Sequence, residues 1–140
     1  MESASSLQLP VICAVAAAAG VALYFTFATR IRMRGYWQRS CTGRAWTERF
    51  PTARPDDIRR FLHLFVDAFG FPRRRALQFA PTDQIMTIYR TVYPLKNMPD
   101  ALELETLVRD ARASYGLDLM PIWRDDITLG EIFAKVSASA

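Results

Sequence analysis

Hydrophobic and polar positions divide this chain into one long apolar run followed by short periodic segments. The run extends from Leu9 to Ala28, LPVICAVAAAAGVALYFTFA, without a charge. About 20 residues in a helix rising ~1.5 Å each span ~30 Å, the thickness of a bilayer's hydrocarbon core. Beyond it, apolar residues recur at helical spacing. Pro55 suits a first helical turn, with Asp56 and Asp57 at the positive end of the dipole. Ile58, Phe61, Leu62, Phe65 and Phe69 then line one face, and Gly70 stops the helix. A second helix is expected over Asp83–Tyr93, capped by Thr82, carrying Ile85, Ile88, Tyr89 and Val92, and ended by Pro94.

The third helix opens at Asp100 with Glu103 as a capping box, or at Asn97 with Pro99 just inside. Leu104, Leu107, Val108 and Ala111 form its apolar stripe, while Glu103, Glu105 and Asp110 fall outside it, and Tyr115–Gly116 closes it. In a fourth, Thr128 and Glu131 make a second capping box ahead of Leu129, Ile132, Phe133 and Val136. No segment alternates with strand period, so the pattern predicts an all-α protein: one N-terminal transmembrane helix and a small helical bundle. Residues 35–54, GYWQRSCTGRAWTERFPTAR, carry no clear period and read as a juxtamembrane linker between an N-terminal segment, 1–34, and a helical domain, 55–140.

Charge changes the picture of the long run. A cleaved secretory signal needs basic residues before its apolar core, and residues 1–8 offer only Glu2. The basic cluster follows instead, at Arg30, Arg32, Arg34, Arg39 and Arg44. A retained anchor is therefore favoured over a signal peptide or a soluble core helix. Positive charge stays in the cytoplasm, so the expected topology puts the C-terminal domain there, at a bacterial inner membrane. Tyr24, Phe25 and Phe27, with Tyr36 and Trp37, suit the interfacial belt. Ala16 and Gly20 are a small-xxx-small pair, so an anchor-mediated homodimer stands beside a plain alanine-rich span.

The remaining charge is uneven. Residues 1–54 carry seven arginines against two glutamates, 55–93 six arginines against four aspartates, and 94–140 five basic against eight acidic groups. The basic excess lies near the anionic bilayer surface, and the acidic distal part argues against nucleic acid. Two cysteines, Cys13 and Cys41, and a lone His63 lack the parts for a disulfide framework, zinc or a Cys–His pair. The loop PRRRA, 72–76, reads as a solvated charge run or a phosphate clamp, and Asp125–Asp126 as a loop pair. No nucleophile–base pair or glycine-rich phosphate loop marks an enzyme.

The order of parts resembles the acyl carrier protein family: a first helix ending in FGF, a long loop, a helix opening DALELETL, the turn YGLDLM and a last helix opening ITLGEIF. The resemblance covers about residues 55–137 and is strongest across 99–136. It is similar, too, to bacterial carrier-like proteins with Asp-Asp-Ala-x-Glu at the same place. Asp100, Leu102, Tyr115 and Thr128 match the family's pattern, which implies an acyl-carrier-like bundle. In the family a serine follows the aspartate and carries phosphopantetheine; here Ala101 occupies that position. A methyl group cannot attack a pyrophosphate, and Thr106 and Ser114 lie further along the helix. With the apolar run read as an anchor and no metal-ligand cluster in the sequence, a carrier-like domain lacking its attachment serine is expected to be part of a non-catalytic, membrane-anchored interaction protein without cofactor or metal. Its unknown protein partner would meet Glu103, Glu105 and Asp110, residues that otherwise only solvate an amphipathic helix. The alternatives are a membrane-tethered acyl carrier serving a lipid enzyme, and a structural subunit of a membrane complex.

Overall fold

The computed structural model describes residues 5–95 and 101–139. Among the described residues seven α-helices run in order: α1 (Ser5–Arg32), α2 (Arg34–Trp37), α3 (Gly43–Arg49), α4 (Pro55–Ala68), α5 (Ile85–Val92), α6 (Leu102–Tyr115) and α7 (Leu129–Ser139). Short 3-10 turns cover Arg73–Gln78 and Met120–Ile122. Among the described residues there is no strand, only an isolated antiparallel bridge between Gln84 and Thr128. The protein is all-α and falls into two units, Met1–Arg34 and Gly35–Ala140.

The first unit is α1. Gln8–Arg32 is long and apolar enough to cross a membrane, and its most apolar stretch is 0 % buried within the protein. The Thr26 hydroxyl donates to the Ala22 carbonyl oxygen at 2.9 Å, so this polar group is satisfied within the helix, as a hydrocarbon surrounding requires.

The second unit is built on α4. Ile58, Phe61, Leu62 and Phe65 are buried as their spacing requires, together with Val66, Ala68 and Phe69. Asp56 and Asp57 sit in the first turn, where the helix dipole favours them. The helix packs against the 3-10 turn Arg73–Gln78 on one side and α6 on the other. From α7 come Leu129, Ile132, Phe133 and Val136, all buried. Its start is the expected reciprocal cap. The Glu131 N–H donates to Thr128 Oγ1 at 3.2 Å, and the Thr128 N–H donates to Glu131 Oε2 at 2.9 Å.

The stretch read as a linker belongs to this unit. Residues 43–49 form α3, and Trp46 is fully buried. Its ring meets Phe133 edge-on at 5.7 Å between centroids and stacks on Phe50 at 5.9 Å. The indole N–H donates to the Phe79 carbonyl oxygen at 2.8 Å. Thr42 Oγ1 lies 2.8 Å from both the Leu77 and Phe79 carbonyl oxygens and donates to one at a time. Tyr36 and Trp37, expected at the bilayer interface, are half-buried against Phe79, at 5.6 Å each. A segment of one turn or two has too few positions to display a period, yet one large ring is enough to anchor it.

The second periodic helix starts later than expected. Thr82 is exposed and caps nothing; α5 begins at Ile85, after the extended Gln84. Asp83 organises the turn instead, its Oδ2 accepting the Ala80 N–H at 2.7 Å. Its backbone carbonyl accepts the Leu129 N–H at 3.0 Å, and the Ile85 N–H donates to the Ile127 carbonyl at 3.1 Å. The starts of α5 and α7 are thus stitched side by side. Gly130 completes the stitch, donating its N–H to the Pro81 carbonyl at 2.8 Å. A Cβ on Gly130 would lie 2.7 Å from that same oxygen.

Candidate functional site

The resemblance places its functional position at the start of α6. Ala101 is the N-cap residue of that helix and is exposed; no side-chain hydrogen bond caps the helix there. Asp100, proposed to form a capping box with Glu103, lies outside the described residues, as do Asn97 and Pro99. At the far end Gly116 turns the chain with φ of +64°, a conformation that costs glycine no Cβ clash. Its N–H donates to the Arg112 carbonyl at 2.9 Å. Only Leu107 and Ala111 of the expected stripe are buried; Leu104 and Val108 remain half-exposed.

The three acidic residues do not make one face. At 3.6 residues per turn, Glu103 and Asp110 are about two turns apart on the same side, while Glu105 projects ~160° away from Glu103. Glu103 is half-buried rather than outward, because the Tyr93 hydroxyl donates to its Oε1 across the gap between α5 and α6. Glu105 is exposed. Asp110 pairs with Arg109 at 3.1 Å, with about a third of its side chain exposed. Two arginines on the same helix, Arg109 and Arg112, reduce the acidity the sequence suggested.

Asp110 opens onto a surface cleft of about 1100 Å³ with walls from α4, α6 and α7. Its charges alternate in sign. Arg59 approaches Asp56 at 3.6 Å, Arg60 approaches Asp57 at 3.7 Å, and Arg73 holds Asp67 at 2.7 Å. The Arg73 hydrogen bonds hold the Asp67 carboxyl below its ordinary pKa. Burial pushes the Tyr115 hydroxyl up. His63 also lines the cleft and is half-buried. A cleft with both signs of charge suits a polar protein surface better than a single anion.

On the other side of α6, Leu104, Val108, Met120 and Trp123 line an open groove of about 670 Å³, with Glu105, Arg109 and Arg112 at its margin. Neither depression was legible in the sequence, since Met120 and Trp123 come from a turn with no period. The PRRRA loop is not a free clamp: Arg73 binds Asp67, and Arg75 donates to the Trp37 carbonyl at 3.1 Å and Gln78 Oε1 at 3.2 Å. Asp125 and Asp126 take separate partners, Arg90 and Arg124, each at 3.0 Å. Cys13 and Cys41 are both exposed free thiols. Among the described residues no three His, Cys, Asp or Glu side chains gather as a metal site. Compared with known proteins, the chain matches no family model, no curated protein and no solved structure.

Proposed function

We propose that this protein is a membrane-anchored, non-catalytic adaptor whose helical unit docks a protein partner along α6. The observation that carries the reading is α1, a helix long and apolar enough to cross a membrane whose apolar surface the protein itself leaves uncovered. Such a surface is stable only in a bilayer or against an equivalent apolar partner. Arginines at 30 and 32 end the helix and those at 34, 39 and 44 follow it, which supports an N-terminus outside and the helical unit in the cytoplasm of a bacterial inner membrane. Supporting the carrier-like reading of that unit is the exposed helix start at Ala101, with Leu102, Tyr115 and Thr128 in the family's order. Supporting a binding role is the methyl group at 101, which removes the attachment chemistry and leaves a helical surface. Asp110, in the charged cleft between α4 and α6, is the residue on which docking centres; Glu103 lies on the same side and Glu105 on the other.

Fractionation and crosslinking test this together. The protein is expected to stay with membranes in high salt, which screens arginine–headgroup attraction but leaves hydrophobic insertion intact. Release by salt alone removes the anchor. A photo-crosslinker at Ser114, on the cleft wall, is expected to give one discrete adduct in intact membranes, and Asp110→Lys to weaken it. An adduct indifferent to that charge reversal removes the docking assignment.

A further inference from the structure

Three separate segments of the helical unit converge on Asp83. Its side chain is only 10 % exposed, and Oδ2 accepts both the Ala80 N–H at 2.7 Å and an Arg39 guanidinium N–H at 2.6 Å. Its carbonyl oxygen accepts the Leu129 N–H at the start of α7. Arg39 is the only charged side chain of residues 36–42, which lie across the core as a strap. The Trp37 carbonyl accepts from Gln78 at 2.9 Å and Arg75 at 3.1 Å, and the Thr42 N–H donates to the Leu77 carbonyl at 2.7 Å. The Arg39 guanidinium also lies 4.5 Å above the Tyr36 ring. Two routes lead from this strap to the charged cleft. One continues through α3 to Phe50, whose ring is 4.9 Å from that of Phe133, and both rings line the cleft. The other passes through Asp83 to Leu129 and so into α7, which supplies Phe133, Val136 and Ser137 to the same cleft.

We propose that the Arg39–Asp83 pair is a clip through which the strap sets the width of the docking cleft. With the clip closed, the turn at Asp83 holds the start of α7 and the cleft is formed. With it open, the strap and the α7 wall are released together. A partner docked in the formed cleft then favours the closed clip, because coupling between two sites is reciprocal. One charge-assisted hydrogen bond is enough for such a switch, since losing it shifts a local equilibrium by roughly ten- to a hundredfold. The buried face of α4 does not depend on the pair, so local opening leaves that helix folded.

The inference rests on the cleft being the docking site, but its test reads the protein without a partner, so failure of the docking assignment leaves the result standing. The full chain in phosphatidylcholine nanodiscs, with both exposed thiols removed by Cys13→Ser and Cys41→Ser, carries nitroxides on Ser114→Cys and Ser137→Cys. These exposed positions line the cleft from α6 and α7. Pulsed electron–electron resonance gives their separation, and amide hydrogen exchange is followed at Thr42, Leu129 and the middle of α4. With Arg39 intact, one narrow distance distribution is expected. Arg39→Gln should broaden it and speed exchange at Thr42 and Leu129 by roughly tenfold or more, with the α4 amides unchanged. Asp83→Asn should do the same; it keeps an oxygen for the Ala80 N–H, so the turn still folds, but gives up the charge that holds Arg39. Arg44→Gln, which breaks the exposed pair with Glu48, should change neither reading. The proposal is overturned if Thr42 is freed while the distance distribution stays as narrow as before. It is equally overturned if neither variant frees Thr42, or if the α4 amides accelerate by the same factor as Leu129, which makes the pair a general stabiliser.

Discussion

Truncating Trp46 to alanine tests whether the segment before α4 is part of the core. The indole is fully buried and contacts Phe50, Phe61 and Phe133, with centroids 5.9, 6.2 and 5.7 Å away. Removing a buried Trp costs about 3–5 kcal/mol in lost transfer and residual cavity. The lost N–H leaves the Phe79 carbonyl to the Thr42 hydroxyl, 2.8 Å away, so the unpaired-acceptor penalty stays near the low end, about 1 kcal/mol. Small domains have only about 5–15 kcal/mol in total, so Trp46→Ala removes a large fraction and lowers the midpoint by roughly 10–40 °C. Residues 35–140, compact as a unit, are suited to urea titration followed by far-ultraviolet circular dichroism, which does not depend on the missing indole. Trp46→Phe separates the contributions: it keeps most of the ring contact and is expected to cost less than the alanine. A loss below about 1 kcal/mol for Trp46→Ala would show that the ring is not a core element, and that residues 55–140 fold without it.

Gly130→Ala places a methyl 2.7 Å from the Pro81 carbonyl oxygen, a backbone atom that cannot swing away; urea titration should show a loss of about 1–3 kcal/mol, and an unchanged midpoint would mean that the α5–α7 stitch is loose. The Thr128 backbone N–H, and then Arg124 at 2.5 Å, hold the Glu131 carboxyl below its ordinary pKa, as Arg73 does for Asp67. A depressed pKa contributes stability above the unfolded value, and that contribution is lost as pH falls through the folded one. Melting temperatures should therefore drop on acidification from about pH 5 towards 3, and Glu131→Gln should flatten the drop. At the start of α6, wild-type protein incubated with coenzyme A and a broad-specificity phosphopantetheinyl transferase should gain no mass. Ala101→Ser, at an exposed helix start, should melt like wild type; a phosphopantetheine adduct on that variant alone would support a carrier fold that lost its attachment residue, and an adduct on wild type would sink the non-carrier reading.

Periodicity alone located α4, the body of α5, α6 and α7, because each repeats its apolar face over two or more turns: Ile58, Phe61 and Phe65, or Leu129, Ile132 and Phe133, are buried where spacing requires. The reciprocal cap between Thr128 and Glu131 was equally legible, being a contact over three residues. So was α1, whose length and lack of charge need no tertiary partner. Features without a period were decided by the fold. Trp46 is fixed by the Phe79 carbonyl 33 residues away, and Asp83 displaces Thr82 because it serves a turn paired with α7. Around α6 the sequence supplied acidic residues, but side and partner are properties of three dimensions. Tyr93 drew Glu103 inward, the cleft took Asp110, and Glu105 was left beside Met120 and Trp123. A helical face is set by local spacing, whereas what lies across from it depends on contacts between residues far apart in the chain.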